Sequence, residues 1–226
     1  LKSSSVEVPG RELREAQAGL EAGFRRALRE AAANIRSFAR RQVPRPWMEN
    51  LRRGLRAGQI VRPLDSVAAY VPSGRYPLPS TLLMTVIPAR AAGTPVVMAA
   101  SPRPSPEVLG TAAFLKVDRF FRMGGAHAIA AFAYGTRTVP RADRIVGPGN
   151  IYVAAAKKLL AGEVGIDFVA GPTEIVIIAE DGDPEILAAD MLAQAEHDVH
   201  ASALLITTSR KLAAAVASEI SQPLAE

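Results

Sequence analysis

The chain has 226 residues, which is enough for one or two domains with well-formed cores. Hydrophobic residues make up 49% of it and charged residues 22%, proportions that exclude a disordered chain. The absence of cysteine excludes disulfides and thiolate metal sites, and no apolar run approaches the roughly 20 residues that a membrane span needs. We therefore expect a cytoplasmic protein that does not contact a membrane.

Arginines are concentrated in the first quarter of the chain, and the formal net charge is +5. Basic arms of this kind are one signature of nucleic-acid binding. Glutamates alternate with these arginines, however, and mixed signs along a helix are typical of solvated salt bridges. We therefore expect no nucleic-acid partner. The interleaved acids are Glu7, Glu12, Glu15, Glu21 and Glu30.

The hydrophobic pattern changes along the chain. Residues 11–42 carry apolar side chains at three- and four-residue steps, which predicts a long N-terminal helix, and Gly54 and Gly58 mark a loop or hairpin after it. From residue 67 onward, short apolar runs alternate with alanine-rich helical stretches. This alternation predicts an α/β fold with a mainly parallel sheet. The predicted strands are residues 67–71, 96–100, 119–123, 144–146, 165–168, 174–179 and 203–207.

Glycine and proline follow several predicted strands, at residues 72–74, 124–125, 147–149 and 171–172. Ligands of open parallel sheets bind at the carboxyl ends of the strands, where glycine lets the backbone approach them. For any one of these segments alone, an ordinary strand-to-helix turn is the better interpretation. Their recurrence at one sheet edge favours a binding site, although none has the G-x-G-x-x-G spacing of a standard dinucleotide fingerprint.

Two of the three histidines fall near one predicted helix end. Asp190, Gln194 and His197 are spaced i, i+4 and i+7, so they project from one helical face. An amide oxygen and an imidazole there could form half of a metal shell, for zinc or one of its neighbours in the first transition row. A capped, solvent-facing helix end explains the same spacing, and spacing alone does not decide between the two.

Four segments, in this order along the chain, resemble histidinol dehydrogenase. They read YVPSG with PST at residues 70–74 and 79–81, GGAHAIAA at 124–131, GPGN at 147–150, and AGPTE at 170–174 leading into QAEHD at 194–198. The resemblance implies two incomplete Rossmann-like domains with mainly parallel sheets, which agrees with the missing fingerprint. It also implies a cytoplasmic homodimer that uses zinc and NAD to oxidise L-histidinol to L-histidine. That reaction is the last step of histidine biosynthesis and proceeds through the aldehyde in two hydride transfers.

The resemblance also implies roles for individual residues. Tyr70, His127 and Asn150 fall at the positions that contact NAD. Gln194 and His197 fall at two zinc ligands that also face the substrate, and Thr173 falls at a further substrate contact. His127 stands where the family commonly has glutamine, and Thr173 stands where it usually has serine. Both departures bear on which substrate is used more than on the type of reaction.

The resemblance further implies a domain division and a missing part. Residues 70–172 would form the NAD-side domain, and residues 1–69 with 173–226 would form the metal and substrate side. The catalytic Glu-His pair and the remaining zinc ligands, an aspartate and a histidine, would lie beyond Glu226. We therefore expect no catalytic residue in this chain and no activity from it alone. Two rival interpretations are a dehydrogenase of another small hydroxylated substrate and a non-catalytic nucleotide-binding remnant.

Overall fold

The computed structural model describes residues 6–73, 77–169, 174–197 and 201–221. The chain forms two compact units, Leu1–Val169 and Ala170–Glu226, which we call the first and second units. None of the described helices combines the length and the apolar character that crossing a bilayer requires.

The N-terminal helical region consists of two helices rather than the single helix expected over residues 11–42. Helix α1 spans Gly10–Ala18 and helix α2 spans Ala22–Gln42. The break falls at Gly19–Glu21, because the Gly19 N–H still bonds the Glu15 carbonyl while Glu21 has an extended backbone (φ −59°, ψ 147°). Leu20, between them, is buried in the core. The expected hairpin follows, with β1 (Trp47–Arg52) and β2 (Leu55–Gln59) pairing around Gly54.

A five-stranded parallel sheet forms the centre of the first unit. Its strands are β3 (Ser66–Tyr70), β4 (Val96–Ala100), β5 (Arg119–Phe121), β6 (Arg144–Val146) and β7 (Gly165–Ile166), in the spatial order β5-β4-β3-β6-β7. Four of the five residues in each of β3 and β4 are buried, as expected for parallel strands that helices cover on both faces. The predicted α/β class is therefore confirmed. The helices between the strands are α3 (Pro79–Ala91), α4 (Pro106–Phe114), α5 (Gly125–Tyr134) and α6 (Ile151–Leu159).

Each face of this sheet has its own apolar core. Helices α1 to α4 bury one core, which includes Leu13, Leu28, Leu82, Leu109 and Phe120. Helices α5 and α6 bury the other, where the rings of Phe121 and Phe132 meet edge to face at 5.8 Å between centroids. The second core holds the side chain of Tyr70.

The second unit contains β8 (Glu174–Ile178), α7 (Pro184–His197), β9 (Ser202–Ile206) and α8 (Arg210–Ser221). Strands β8 and β9 pair in parallel. Their inner face packs on α7 and α8, and the buried side chains among the described residues there are Ala188, Leu212 and Val216.

The first unit divides the chain differently from the expected domains. The expected boundary between residues 69 and 70 falls inside β3, which pairs with β4 and β6. Helices α1 and α2 lie in the same unit because their apolar sides pack on α4 and α3. In the described part of the second unit, strand β8 pairs with β9. That residues 173–226 complete a domain with residues 1–69 stays a prediction.

Candidate functional site

Three of the predicted site residues lie at the carboxyl edge of the five-stranded sheet. Tyr70 is the last residue of β3, His127 lies in the first turn of α5 after β5, and Asn150 directly precedes α6 after β6. Because all five strands are parallel, their carboxyl ends meet at this edge. The structure therefore brings Tyr70, His127 and Asn150 to one edge, on the side of the sheet that α5 and α6 cover.

Tyr70 connects β3 to the start of α5. Its ring is buried, with 3% of the residue exposed, and its hydroxyl oxygen accepts the Gly125 N–H at 3.1 Å. A hydroxyl that accepts one hydrogen bond still has its own hydrogen to donate. Tyr70 can therefore position α5 and offer one donor at the edge.

His127 lies on an open helix start. Its residue is exposed, and Gly124, the residue before α5, supplies no side-chain cap. Gly125 has φ +63°, and nothing lies within 4 Å of where its Cβ would be. The imidazole thus stands beside backbone that a ligand can approach closely.

Asn150 is the N-cap of α6. Its Oδ1 accepts the N–H groups of Tyr152 at 3.2 Å and Val153 at 3.1 Å. These bonds satisfy two of the backbone donors that a helix start leaves unpaired. The side-chain amide nitrogen is a donor that this capping does not use, so Asn150 has both a structural role and the capacity to bind a ligand oxygen.

The turn between β6 and α6, residues 147–150, packs tightly against β3. Gly147 has φ +110°, and a Cβ at this position would lie 2.2 Å from the Tyr70 carbonyl oxygen. A Cβ on Gly149 would lie 2.3 Å from Val153 Cγ1. Glycine is thus required at both positions by the space available, and at Gly147 by the backbone conformation as well.

Lys157 and Asp167, which the sequence did not indicate as site residues, bind the backbone of this turn at Gly147. The Lys157 ammonium donates to the Gly147 carbonyl at 2.8 Å and forms an ion pair with Asp167 Oδ1. Asp167 Oδ2 accepts the Gly147 N–H at 2.7 Å. Helical periodicity could have indicated that Lys157 is buried, since it lies on the same face of α6 as Val153 and Ala156.

An apolar cavity of about 760 Å³ lies on the other face of the sheet, beside α3. Its lining includes Met84 and Pro88, and it reaches Gly147 in the turn and the neighbouring Asp167. Tyr70, His127 and Asn150 are not among its lining residues. The cavity therefore borders the turn at residues 147–150 from the α3 side of the sheet, whereas Tyr70 lies in the core on the other side.

The predicted metal and substrate residues belong to the second unit. Gln194 is half-buried on α7, and His197 is the last residue of that helix, one turn further on. The side chain of His197 and all of Thr173 lie outside the described residues. Within the described parts of the chain, no group of three or more His, Cys, Asp or Glu side chains is arranged around a metal position. An amide oxygen and an imidazole on one helical turn fit two of the four positions of a zinc shell.

Comparison with known proteins gives a consistent result. The histidinol dehydrogenase family profile matches residues 1–226. The chain is 51% identical to histidinol dehydrogenase of Methanothermobacter thermautotrophicus over 208 residues, which cover 89% of this chain and 49% of that protein. It is 45% identical to the Listeria monocytogenes enzyme of the same name, over 98% of this chain and 53% of that protein.

A solved structure agrees with these sequence matches. The crystal structure of histidinol dehydrogenase from Elizabethkingia anophelis superposes with a TM-score of 0.94 at 33% identity, over 99% of this chain and 53% of that one. The chain thus spans about half the length of the relatives that it matches. Because the family profile covers every residue and a solved member shares the fold, the chain belongs to the histidinol dehydrogenase family.

Proposed function

We propose that the protein to which this chain belongs oxidises L-histidinol to L-histidine with NAD, through the aldehyde and in two hydride transfers, as the last step of histidine biosynthesis. The family match over all 226 residues carries this proposal. Since the chain spans about half of its relatives, the activity is proposed for the protein as its gene encodes it. We further propose that this protein is a cytoplasmic homodimer.

The carboxyl edge of the first unit is the proposed NAD side. When bound, NAD accepts the hydride. The residues of this edge bind and orient the NAD molecule. The Asn150 amide and the His127 imidazole are donors for ribose or phosphate oxygens, and the Tyr70 hydroxyl supplies a third. The glycine-bearing turns around them allow the backbone to approach the ligand. The donor set and the open space at Gly125 therefore suit a phosphate-bearing nucleotide.

Helix α7 is the proposed metal and substrate side. Gln194 and His197 would hold zinc from two positions, and the Thr173 hydroxyl would contact the substrate. Zinc bound there would orient the substrate and polarise its oxygen. Neutral imidazole is the form that coordinates, so His197 must be deprotonated for binding.

The proposal is tested by the absorbance of NADH formed from L-histidinol by the protein as its gene encodes it. We expect two NADH per histidinol consumed. Asn150→Asp keeps the capping oxygen but replaces the amide donor with a negative charge beside an anionic ligand, so we expect the KM for NAD to rise about tenfold or more. Tyr152→Phe, at an exposed neighbouring position, is the control and should leave that KM unchanged. A protein that forms no NADH from histidinol contradicts the proposal.

Thr173 and His127 favour a second candidate, a dehydrogenase of another small hydroxylated substrate. Thr173 carries a methyl group that serine lacks, and His127 carries an imidazole ring where the family commonly has a glutamine amide. The two candidates differ in kcat/KM for histidinol against other amino alcohols. If histidinol is the substrate, Thr173→Ser should leave histidinol preferred; a larger kcat/KM for another amino alcohol in the unaltered protein would favour the second candidate.

A further inference from the structure

Two side chains from outside the turn at residues 147–150, Lys157 and Asp167, hydrogen-bond to its backbone. Strand β6 ends at Val146, and Gly147 is the first buried residue beyond it. A buried backbone N–H and C=O must find partners, and each one left unpaired destabilises the fold. Both groups of Gly147 are bonded by side chains: Asp167 accepts its N–H and Lys157 donates to its carbonyl.

The two supporting side chains form a buried ion pair. The Lys157 side chain is 3% exposed and the Asp167 side chain 17% exposed, and they are in direct contact. The Phe168 ring lies 5.1 Å from the Lys157 ammonium, and the Phe168 N–H donates to Asp167 Oδ1 at 2.8 Å. Desolvation roughly offsets the attraction within such a pair, so a large gain in stability does not explain its presence. The pair instead fixes the position of the Gly147 N–H and carbonyl groups to which it is hydrogen-bonded.

We propose that Lys157 and Asp167 are positioning residues for the nucleotide, which act by fixing Gly147 so that Asn150 is held at the ligand-binding edge. The Lys157–Asp167 pair, which we call the clamp, is connected to Asn150 both through the turn and through helix α6. Gly147 stands at the start of the turn against Tyr70, and Lys157 lies on the helix that Asn150 caps. Without the clamp, Gly147 is free to move away from Tyr70 and to carry the turn with it. This inference rests on the proposed function.

The test uses the protein as its gene encodes it and three readouts: the Kd for NAD by titration calorimetry, amide hydrogen exchange of the peptide 146–150 without nucleotide, and the thermal midpoint. The main variant is the double substitution Lys157→Met with Asp167→Leu. It removes both charges together, so it avoids leaving a single buried charge unpaired. Lys158→Met, at the exposed neighbouring position, is the matched control.

We expect the double variant to bind NAD about tenfold more weakly, a loss equivalent to about one hydrogen bond in binding free energy. Exchange in the peptide 146–150 should become faster, while the thermal midpoint stays above that of Lys157→Met alone. Asp167→Asn keeps an oxygen that can accept the Gly147 N–H, so its Kd should lie between those of the wild type and the double variant. Lys158→Met should match the wild type in all three readouts.

Wild-type affinity for NAD in the double variant, or in Asp167→Asn if the double variant does not fold, overturns the inference. Unchanged exchange in the peptide 146–150 overturns it as well. These outcomes leave the proposed function intact, since the wild-type protein still binds NAD in them. A wild-type protein that does not bind NAD overturns both.

Discussion

The two parallel sheets of this molecule differ in how completely they are covered. In the first unit, helices pack on both faces, and the central strands β3 and β4 are almost entirely buried. In the second unit, α7 and α8 cover one face of the β8–β9 pair, and the outer face carries exposed Val176, Ile178, Leu204 and Ile206. Parallel sheets are normally buried on both sides. The proposed NAD edge therefore belongs to a sheet whose two faces are both covered by helices. The proposed metal helix packs on a sheet whose other apolar face is exposed among the described residues.

The largest effect expected from this comparison is a difference between one core substitution and one surface substitution in the 226-residue chain. Phe132→Ala removes a fully buried ring that packs against Phe121, and it should lower the free energy of unfolding by about 3–5 kcal/mol. Ile178→Ala removes a side chain of a residue that is 78% exposed, and its effect should stay within about 0.5 kcal/mol. Urea denaturation measures both. A similar loss from the two substitutions would show that the outer face of β8–β9 is covered in solution.

Two glycine substitutions test the tight packing at the proposed NAD edge. Gly147 and Gly162 both have positive φ, +110° and +102°, so alanine at either should cost about 1–2 kcal/mol in backbone strain. Only at Gly147 does the added methyl meet backbone, at 2.2 Å from the Tyr70 oxygen, and we expect about 1–3 kcal/mol more there from overpacking. The measurement is the difference in unfolding free energy between Gly147→Ala and Gly162→Ala. Equal losses would mean that the turn yields easily and is not closely held.

The smallest expected effect concerns the ion pair that ties the N-terminal segment to β5. Arg119 hydrogen-bonds Glu7 and thereby lowers the pKa of Glu7, and the same pairing raises the pKa of Arg119. A lowered carboxyl pKa contributes stability that is present above the ordinary glutamate value of about 4.3 and is lost as the pH falls through the lowered value. Both side chains are partly exposed, so solvent screening limits the contribution to about 1 kcal/mol or less.

Glu7→Gln should therefore lose this stability at neutral pH, and the difference from the wild type should vanish in acid. Thermal midpoints measured across this pH range test the expectation. Glu15→Gln is the control, because Glu15 pairs with Arg11 on the exposed side of α1. A Glu7→Gln difference that persists unchanged below the ordinary glutamate pKa would contradict the assignment to ionised Glu7.

Much of the first unit could be predicted because local pattern and final structure agree there. The alternation of short apolar runs with alanine-rich stretches gave the strands and helices, and glycine after successive strands marked the edge where Tyr70, His127 and Asn150 meet. The break at Gly19–Glu21 escaped prediction because Leu20 continues the apolar spacing through it. Lys157 escaped because burial of a lysine depends on a partner, Asp167, that only the folded structure brings close. The bare face of β8–β9 escaped because an exposed and a buried apolar strand have the same sequence pattern.

The proposed assignment of NAD binding to the first unit and of zinc binding to the second is tested most directly by measuring two properties on the same two variants. NAD affinity by titration calorimetry and zinc content by metal analysis are compared for His127→Ala and His197→Ala in the protein as its gene encodes it. We predict that His127→Ala binds NAD about tenfold more weakly, which corresponds to the loss of about one hydrogen bond. The same variant should keep its zinc. We predict that His197→Ala loses most of its zinc and keeps its NAD affinity. Full zinc in His197→Ala, or unchanged NAD affinity in His127→Ala, would contradict this assignment.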